Sequence, residues 1–208
     1  MKAFINTKLR MQEFRYKKYI ASDGAIIKYV DACKNNKNTI LFLHGLAGRG
    51  TEFKRIAKRL SDTHRIVWLD YRGCGKTKLT GNATQKQTAE DVLTLIEQLK
   101  LENVTLAGMS LGVHVILRYL KEYGDQYLKS LILMDMSPKL INEDGWKLGY
   151  LNGEYTRDIF ESEMKQIEED EKDFKEYLYV QLIDYVRPGR KRAGKRNVFY
   201  RLISNIVI

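Results

Sequence analysis

The sequence predicts an α/β protein built on a mostly parallel sheet with helices on both faces, and three observations carry that prediction. Short apolar runs of strand length recur at residues 39–43, 65–69, 104–107 and 131–134. Between them lie longer stretches whose apolar residues return at helical spacing, an alternation that gives a parallel sheet covered on both sides. At Gly108-Met109-Ser110-Leu111-Gly112, finally, an apolar run passes directly into a helical stretch with a serine at the junction.

In chain order, residues 14–21 and 25–29 read as two strands joined by the turn Ser22-Asp23-Gly24, an antiparallel start to the sheet. A helix is expected over 51–60, with Phe53, Ile56, Ala57 and Leu60 on its apolar face. A second is expected over 88–100, with Ala89, Val92, Leu93, Ile96 and Leu99 facing inward and Thr88 with Asp91 as a capping signal. A third runs from Leu111 to about Tyr123. Leu131-Ile132-Leu133-Met134 reads as a further buried strand ending at Asp135. From Lys139 the alternation stops. Phe160, Met164, Ile167, Phe174, Leu178, Leu182 and Tyr185 form a helical stripe, read either as a cap that shapes a substrate site or as helices that only shield the sheet.

The junction at Ser110 is chemically suggestive. A strand that turns at once into a helix needs a tight bend, and flanking glycines remove Cβ atoms that would clash there. The bend presents the serine hydroxyl above the sheet, beside helix N–H groups that point toward a developing oxyanion. Taken alone, the motif also fits an ordinary turn serine. Two upstream segments add context. The run 39–43 leads into His44-Gly45-Leu46-Ala47-Gly48, and the run 65–69 into Asp70-Tyr71-Arg72-Gly73-Cys74-Gly75-Lys76-Thr77.

In this order and spacing the three segments resemble the α/β-hydrolase superfamily over roughly residues 15–140, on the branch of small capped serine esterases and cofactor-free haloperoxidases. The resemblance implies a core over 1–138 and a helical cap over 139–208. It implies Ser110 as nucleophile, with the backbone N–H groups of Leu46 and Leu111 as the oxyanion hole. His44, Gly45, Gly108 and Gly112 shape the two loops, and Asp70, Arg72, Gly73 and Gly75 match a structural motif in which Thr77 stands where serine is commoner. The family's histidine follows an eighth strand and its usual acid a seventh, and neither strand is legible here. His44, His64 and His114 all fall where the fold assigns other work. Asp135 reads either as a candidate acid, since some relatives carry theirs at this point, or as an aspartate capping the loop before Ser137-Pro138.

On these grounds the carboxy-terminal part is expected to be incomplete. The strand at 131–134 would then lie on an open edge, to be covered by the apolar tail 197–208, by a further carboxy-terminal portion or by a second copy of the chain.

Composition narrows the rest. A chain of 208 residues with 44% hydrophobic content buries one sizeable core. The formal charge of +10 has its densest run at Arg187–Arg196, but Pro188, Gly189 and Gly194 mark that run as a loop beside the acidic stretch 161–176, so no nucleic-acid partner is expected. The basic start lacks the roughly 7–15 residue apolar core of a signal peptide, and no run approaches the ~18 apolar residues of a membrane span. A cytoplasmic protein without a membrane partner is expected. Cys33 and Cys74 are the two cysteines, with neither a C-x-x-C spacing nor a histidine cluster, so no metal and no organic cofactor is expected. The expected activity is hydrolysis of a small carboxylic ester or related acyl substrate, impaired in this form. The alternative is a non-catalytic α/β-hydrolase-like protein that binds a ligand or partner.

Overall fold

The computed structural model describes residues 14–46, 48–150 and 153–169, with side chains to residue 165. The chain divides into two compact units, Met1–Met136 and Ser137–Ile208. The first holds a six-stranded sheet made of β1 (Tyr16–Ile20), β2 (Ile26–Ala32), β3 (Asn38–Leu43), β4 (His64–Asp70), β5 (Val104–Met109) and β6 (Leu128–Met134), in the order β1-β2-β4-β3-β5-β6. β1 and β2 pair antiparallel, as do β2 and β4, and every other pair is parallel. β2 extends beyond the expected 25–29 because its second edge is also used, with Ala32 registered against Ile66 of β4.

Strand alternation divides the core into two layers. On one face, Val30, Ile40, Phe42, Ile66, Trp68 and Ala107 pack with Phe53 and with Ala57 of helix α1 (Lys54–Leu60). Gly50 is required there, since a Cβ on it would lie 1.9 Å from Trp68 Cδ1. On the other face lie α2 (Gln85–Gln98) and α3 (Leu111–Tyr123), which bury Val92, Leu95, Ile96, Val115, Ile116 and Tyr119.

Three local expectations are corrected. The stretch 51–60 opens with a 3₁₀ turn, Gly50–Phe53, before α1, and the buried stripe is Phe53 and Ala57 while Ile56 is 48% exposed. Spacing of i, i+4 sets this seven-residue helix on the sheet, and the residue at i+3 falls on its rim. The second helix begins at Gln85, capped by Thr84, whose hydroxyl accepts the Gln87 N–H at 3.1 Å. Thr88 and Asp91 are therefore inside that helix and buried, and Leu95 takes the inward place expected of Leu93. β6 lies at the end of the strand order, the edge position expected where no seventh strand follows, and its apolar run is therefore not buried as its pattern suggests: Leu131, Ile132 and Leu133 are 39%, 44% and 49% exposed. Among the described residues nothing pairs with its outer edge.

The second unit contains α4 (Arg157–Glu169), where the expected stripe begins with Phe160 and Met164. Before it, Asn142 and Glu143 bridge to Thr156 and Trp146, and the Asn142 side chain donates to the carbonyls of Tyr150 and Tyr155. The expected continuation through Phe174 to Tyr185, the basic run 187–196 and the tail 197–208 lie outside the described residues. Among the described residues no helix is long and apolar enough to cross a membrane.

A buried ion network fastens the antiparallel hairpin to the parallel part. Arg72, 1% exposed, donates to both carboxylate oxygens of Asp91 on α2 and to both of Asp23 in the β1–β2 turn. Burial alone would push the guanidinium toward neutrality, but the two carboxylates hold its pKa above the ordinary value. Tyr19 Oη donates to the Asp91 carbonyl at 2.6 Å and Gln98 to the Ile20 carbonyl at 3.0 Å, so the same hairpin is tied along α2. Removing one partner of such a buried pair strands a desolvated charge. Arg72→Ala is therefore expected to cost about 3–5 kcal/mol, read as a lowered midpoint in urea unfolding.

Candidate active site

The carboxyl ends of four neighbouring parallel strands, β4, β3, β5 and β6, deliver Tyr71, His44-Gly45-Leu46, Ser110 and Asp135 to one edge of the sheet. In open α/β sheets this edge is where ligands bind.

Ser110 connects β5 to α3 with φ 51° and ψ −118°, a conformation that a side chain makes costly, by about 1–3 kcal/mol. Its N–H donates to the Met134 carbonyl at 2.9 Å and its carbonyl accepts from Val113, so the backbone holds the strained residue from both sides. As the residue preceding α3 it could cap the helix, yet its hydroxyl makes no capping hydrogen bond. The strain lies on the serine itself. The flanking glycines serve close approach: a Cβ on Gly108 would lie 2.5 Å from the Gly112 backbone, and one on Gly112 would lie 2.2 Å from the Leu43 carbonyl oxygen. Two bare backbones thus let α3 sit directly on β5 and β3.

Gly45 brings the loop after β3 against the elbow, since a Cβ on it would stand 3.4 Å from Ser110 Cβ. The next N–H belongs to Leu46, and the first N–H of α3 belongs to Leu111, which is 2% exposed. N–H groups at a helix start have no intrahelical acceptor and are free to meet an anion.

Two links hold the β3 loop to the end of β4. His44 is fully buried, with Nδ1 2.8 Å from the Gly45 carbonyl and Nε2 accepting the Tyr71 N–H at 3.1 Å, and the Tyr71 ring lies at 3.9 Å. Asp70, also fully buried, accepts from the Gly50 N–H and the Lys76 N–H, each at 2.7 Å. Gly75 passes the carboxylate with φ 52°, where a Cβ would lie 2.1 Å from Asp70 Oδ2. Gly73 turns with φ 76°. Thr77 donates to the Asp70 carbonyl and accepts from the Lys28 N–H, a hydroxyl role that serine would fill equally.

Asp135 follows Met134, the register partner of Met109, so it stands beside Ser110 across the β5–β6 pair. It too has positive φ, 57°, and it is exposed. The histidines are dispersed. Both ring nitrogens of His44 are engaged. His64 opens β4 at the opposite end of the sheet, opposite Asn38, and His114 is buried one turn into α3. Cys74 is no nucleophile, because burial pushes its thiol up to about 12. Among the described residues no group of three or more His, Cys, Asp or Glu side chains could hold a metal ion.

Asp23 and Asp91, the partners of Arg72, are not identifiable from sequence, since no local pattern pairs residues from a turn, a loop and a helix. Thr84 is identifiable: Thr84-Gln85-Lys86-Gln87 has the T-x-x-Q form of a capping box.

Comparison with known proteins agrees with the fold. The family model for the alpha/beta hydrolase fold matches residues 38–177. A proline iminopeptidase of Lactobacillus crispatus is 29% identical over 106 residues, covering 48% of this chain and 36% of its own length. The 3-oxoadipate enol-lactonase 1 of Acinetobacter baylyi is 28% identical over 111 residues, 53% of this chain and 41% of its own length. The chain thus spans less than half the length of these curated relatives. Among solved structures, the esterase EaEST of Exiguobacterium antarcticum superposes with a TM-score of 0.68 at 23% identity, covering 92% of this chain and 72% of its own.

The buried His44 has a consequence for stability. Desolvation lowers its pKa from the ordinary 6.5 to about 4. Between those values the unfolded chain binds a proton that the folded protein does not. Stability is therefore full above pH 6.5 and falls as pH drops toward 4, by about 3 kcal/mol in total. Urea unfolding of the wild type and of His44→Asn across pH 4–7 is expected to show a shallower fall in the variant.

Proposed function

The chain belongs to the α/β-hydrolase fold family, and from that footing we propose that it is a serine hydrolase of small carboxylic esters or related acyl compounds. Ser110 attacks the acyl carbonyl, and the N–H groups of Leu46 and Leu111 receive the oxyanion that forms. The observation that carries this reading is the strained, uncapped Ser110 between Gly45 and the α3 amino end. A serine required only to turn the chain would relieve its strain as glycine, and one required only to start the helix would use its hydroxyl as a cap.

Asp135 is the acid in this reading, placed on the strand beside the nucleophile with an exposed carboxyl group. This reading assigns substrate selection, the family's cap role, to residues 139–208. An iminopeptidase, a lactonase and an esterase stand among the similar proteins, which supports acyl transfer to water as the shared step and leaves the acyl group to the cap.

A second reading, a binding protein that keeps the elbow without turnover, is favoured by the dispersal of His44, His64 and His114, none placed as the usual base of a serine triad. Intact-protein mass after incubation with a fluorophosphonate separates the two. A single adduct that disappears in Ser110→Ala is expected. No adduct on the folded wild type would overturn the nucleophile and leave the binding reading.

A further inference from the structure

We infer that the face of the sheet carrying α1 docks on an anionic lipid bilayer, with the α1 cations among the headgroup phosphates and carboxylates and Ile56 entering the layer between them. Such docking is independent of the chemistry proposed for Ser110.

Helix α1 breaks the charge rules that stabilise a helix. Lys54, Arg55, Lys58 and Arg59 are four of its seven residues, and it holds no acid. Lys54 and Lys58, like Arg55 and Arg59, are like charges four residues apart, which repel on one helix surface. Lys54 and Arg55 stand in the first turn, where the helix dipole disfavours a cation. Among the described residues no ion pair holds any of the four. Arg55, Lys58 and Arg59 are exposed, and Ile56 stands among them at 48% exposure. A pattern that costs the helix and gains nothing within the fold points to an anion outside it.

The hairpin repeats the pattern on the same face. Val30 of β2 belongs to the core that α1 covers, and strand alternation puts Lys28 and Ile26 on that side. Their register partners on β1 are Lys18 and Ile20. Ile26 and Ile20 are 47% and 64% exposed, so aliphatic side chains again lie open beside cations.

The opposite face differs. α2 and α3 together hold Lys86, Arg118 and Lys121 against Glu90, Asp91, Glu97 and Glu122, and Glu122 pairs with both Lys86 and Arg118. Among the helices on the sheet, the excess of cations is therefore confined to the α1 face. Interleaved aliphatic and cationic side chains suit the boundary between headgroups and acyl chains. Single-stranded RNA is gripped by stacking on aromatic rings, and neither α1 nor the Ile20–Ile26 pair offers one. The expectation of no membrane partner rests on the lack of a membrane span, which contact with a surface does not require.

The test is co-sedimentation with vesicles of phosphatidylcholine containing about 30% phosphatidylserine. The protein is expected to bind them, to ignore pure phosphatidylcholine, and to be released as salt rises from about 50 to about 200 mM. Lys58→Gln combined with Arg59→Gln is expected to weaken binding about thirty-fold, and Ile56→Gln about threefold to tenfold. Lys86→Gln combined with Lys121→Gln removes the same charge from the other face and is expected to change binding by less than about threefold. Equal losses in the two double variants, no loss in the α1 double variant or in Ile56→Gln, or a wild type that ignores the vesicles yet binds single-stranded RNA through the same residues, would each overturn the inference. The α1 double variant relieves like-charge repulsion, so its urea midpoint is expected at or above that of the wild type. If it unfolds instead, Arg55→Gln takes its place, with a loss of about fivefold expected.

Discussion

The hydrogen bond from the Tyr71 N–H to His44 Nε2 is the contact on which the site depends, because it joins the loop after β3 to the end of β4 in the middle of the sheet. Neither loop has a ladder partner at that point, so a side chain must supply one. Asp70 repeats the device one residue earlier by accepting from Gly50 and Lys76. Each link buries a polar group completely, and each is tolerated because every hydrogen-bonding atom it uses finds a partner. His44 and Gly45 are thereby held from behind, while Gly45 faces Ser110.

That support faces a strained elbow. Ser110 holds a glycine-like conformation while carrying a side chain, and the cost of about 1–3 kcal/mol is sustained by the packing around it. Gly108 and Gly112 bring α3 down onto β5 and β3, and Ser110 is clamped to β6 by its N–H bond to Met134. Asp135, on the same edge, repeats the positive φ. Two neighbouring strands therefore end in strained polar residues, the pattern expected where backbone energy is stored at a site and offset by the core elsewhere.

β6 has a different standing. Leu131, Ile132 and Leu133 alternate between the two faces of the sheet, yet all three are substantially exposed. An apolar strand with an unpaired edge is a template for another strand. In the β5–β6 register, the site edge and the sheet edge that is unpaired among the described residues meet at Asp135. The fold by itself does not choose among ester, lactone and peptide bonds, since proteins named for each resemble this one.

The sequence by itself determined the elements that carry their own signal. The strand, serine and helix around Ser110, the alternation of apolar runs and amphipathic stretches, and the hairpin turn at Gly24 are all local patterns of period or of turn chemistry. The loop after β3 was legible as a partner of the elbow only through the resemblance of three segments taken together. Tertiary structure decided what depends on distant neighbours. Asp91, which reads as part of a helix start, is instead the buried counter-ion of Arg72, and Ile56 is left outside a face that Phe53 and Ala57 fill. It also decided the tautomer of His44, because a ring proton is placed by the groups facing the two nitrogens, and Tyr71 lies 27 residues away.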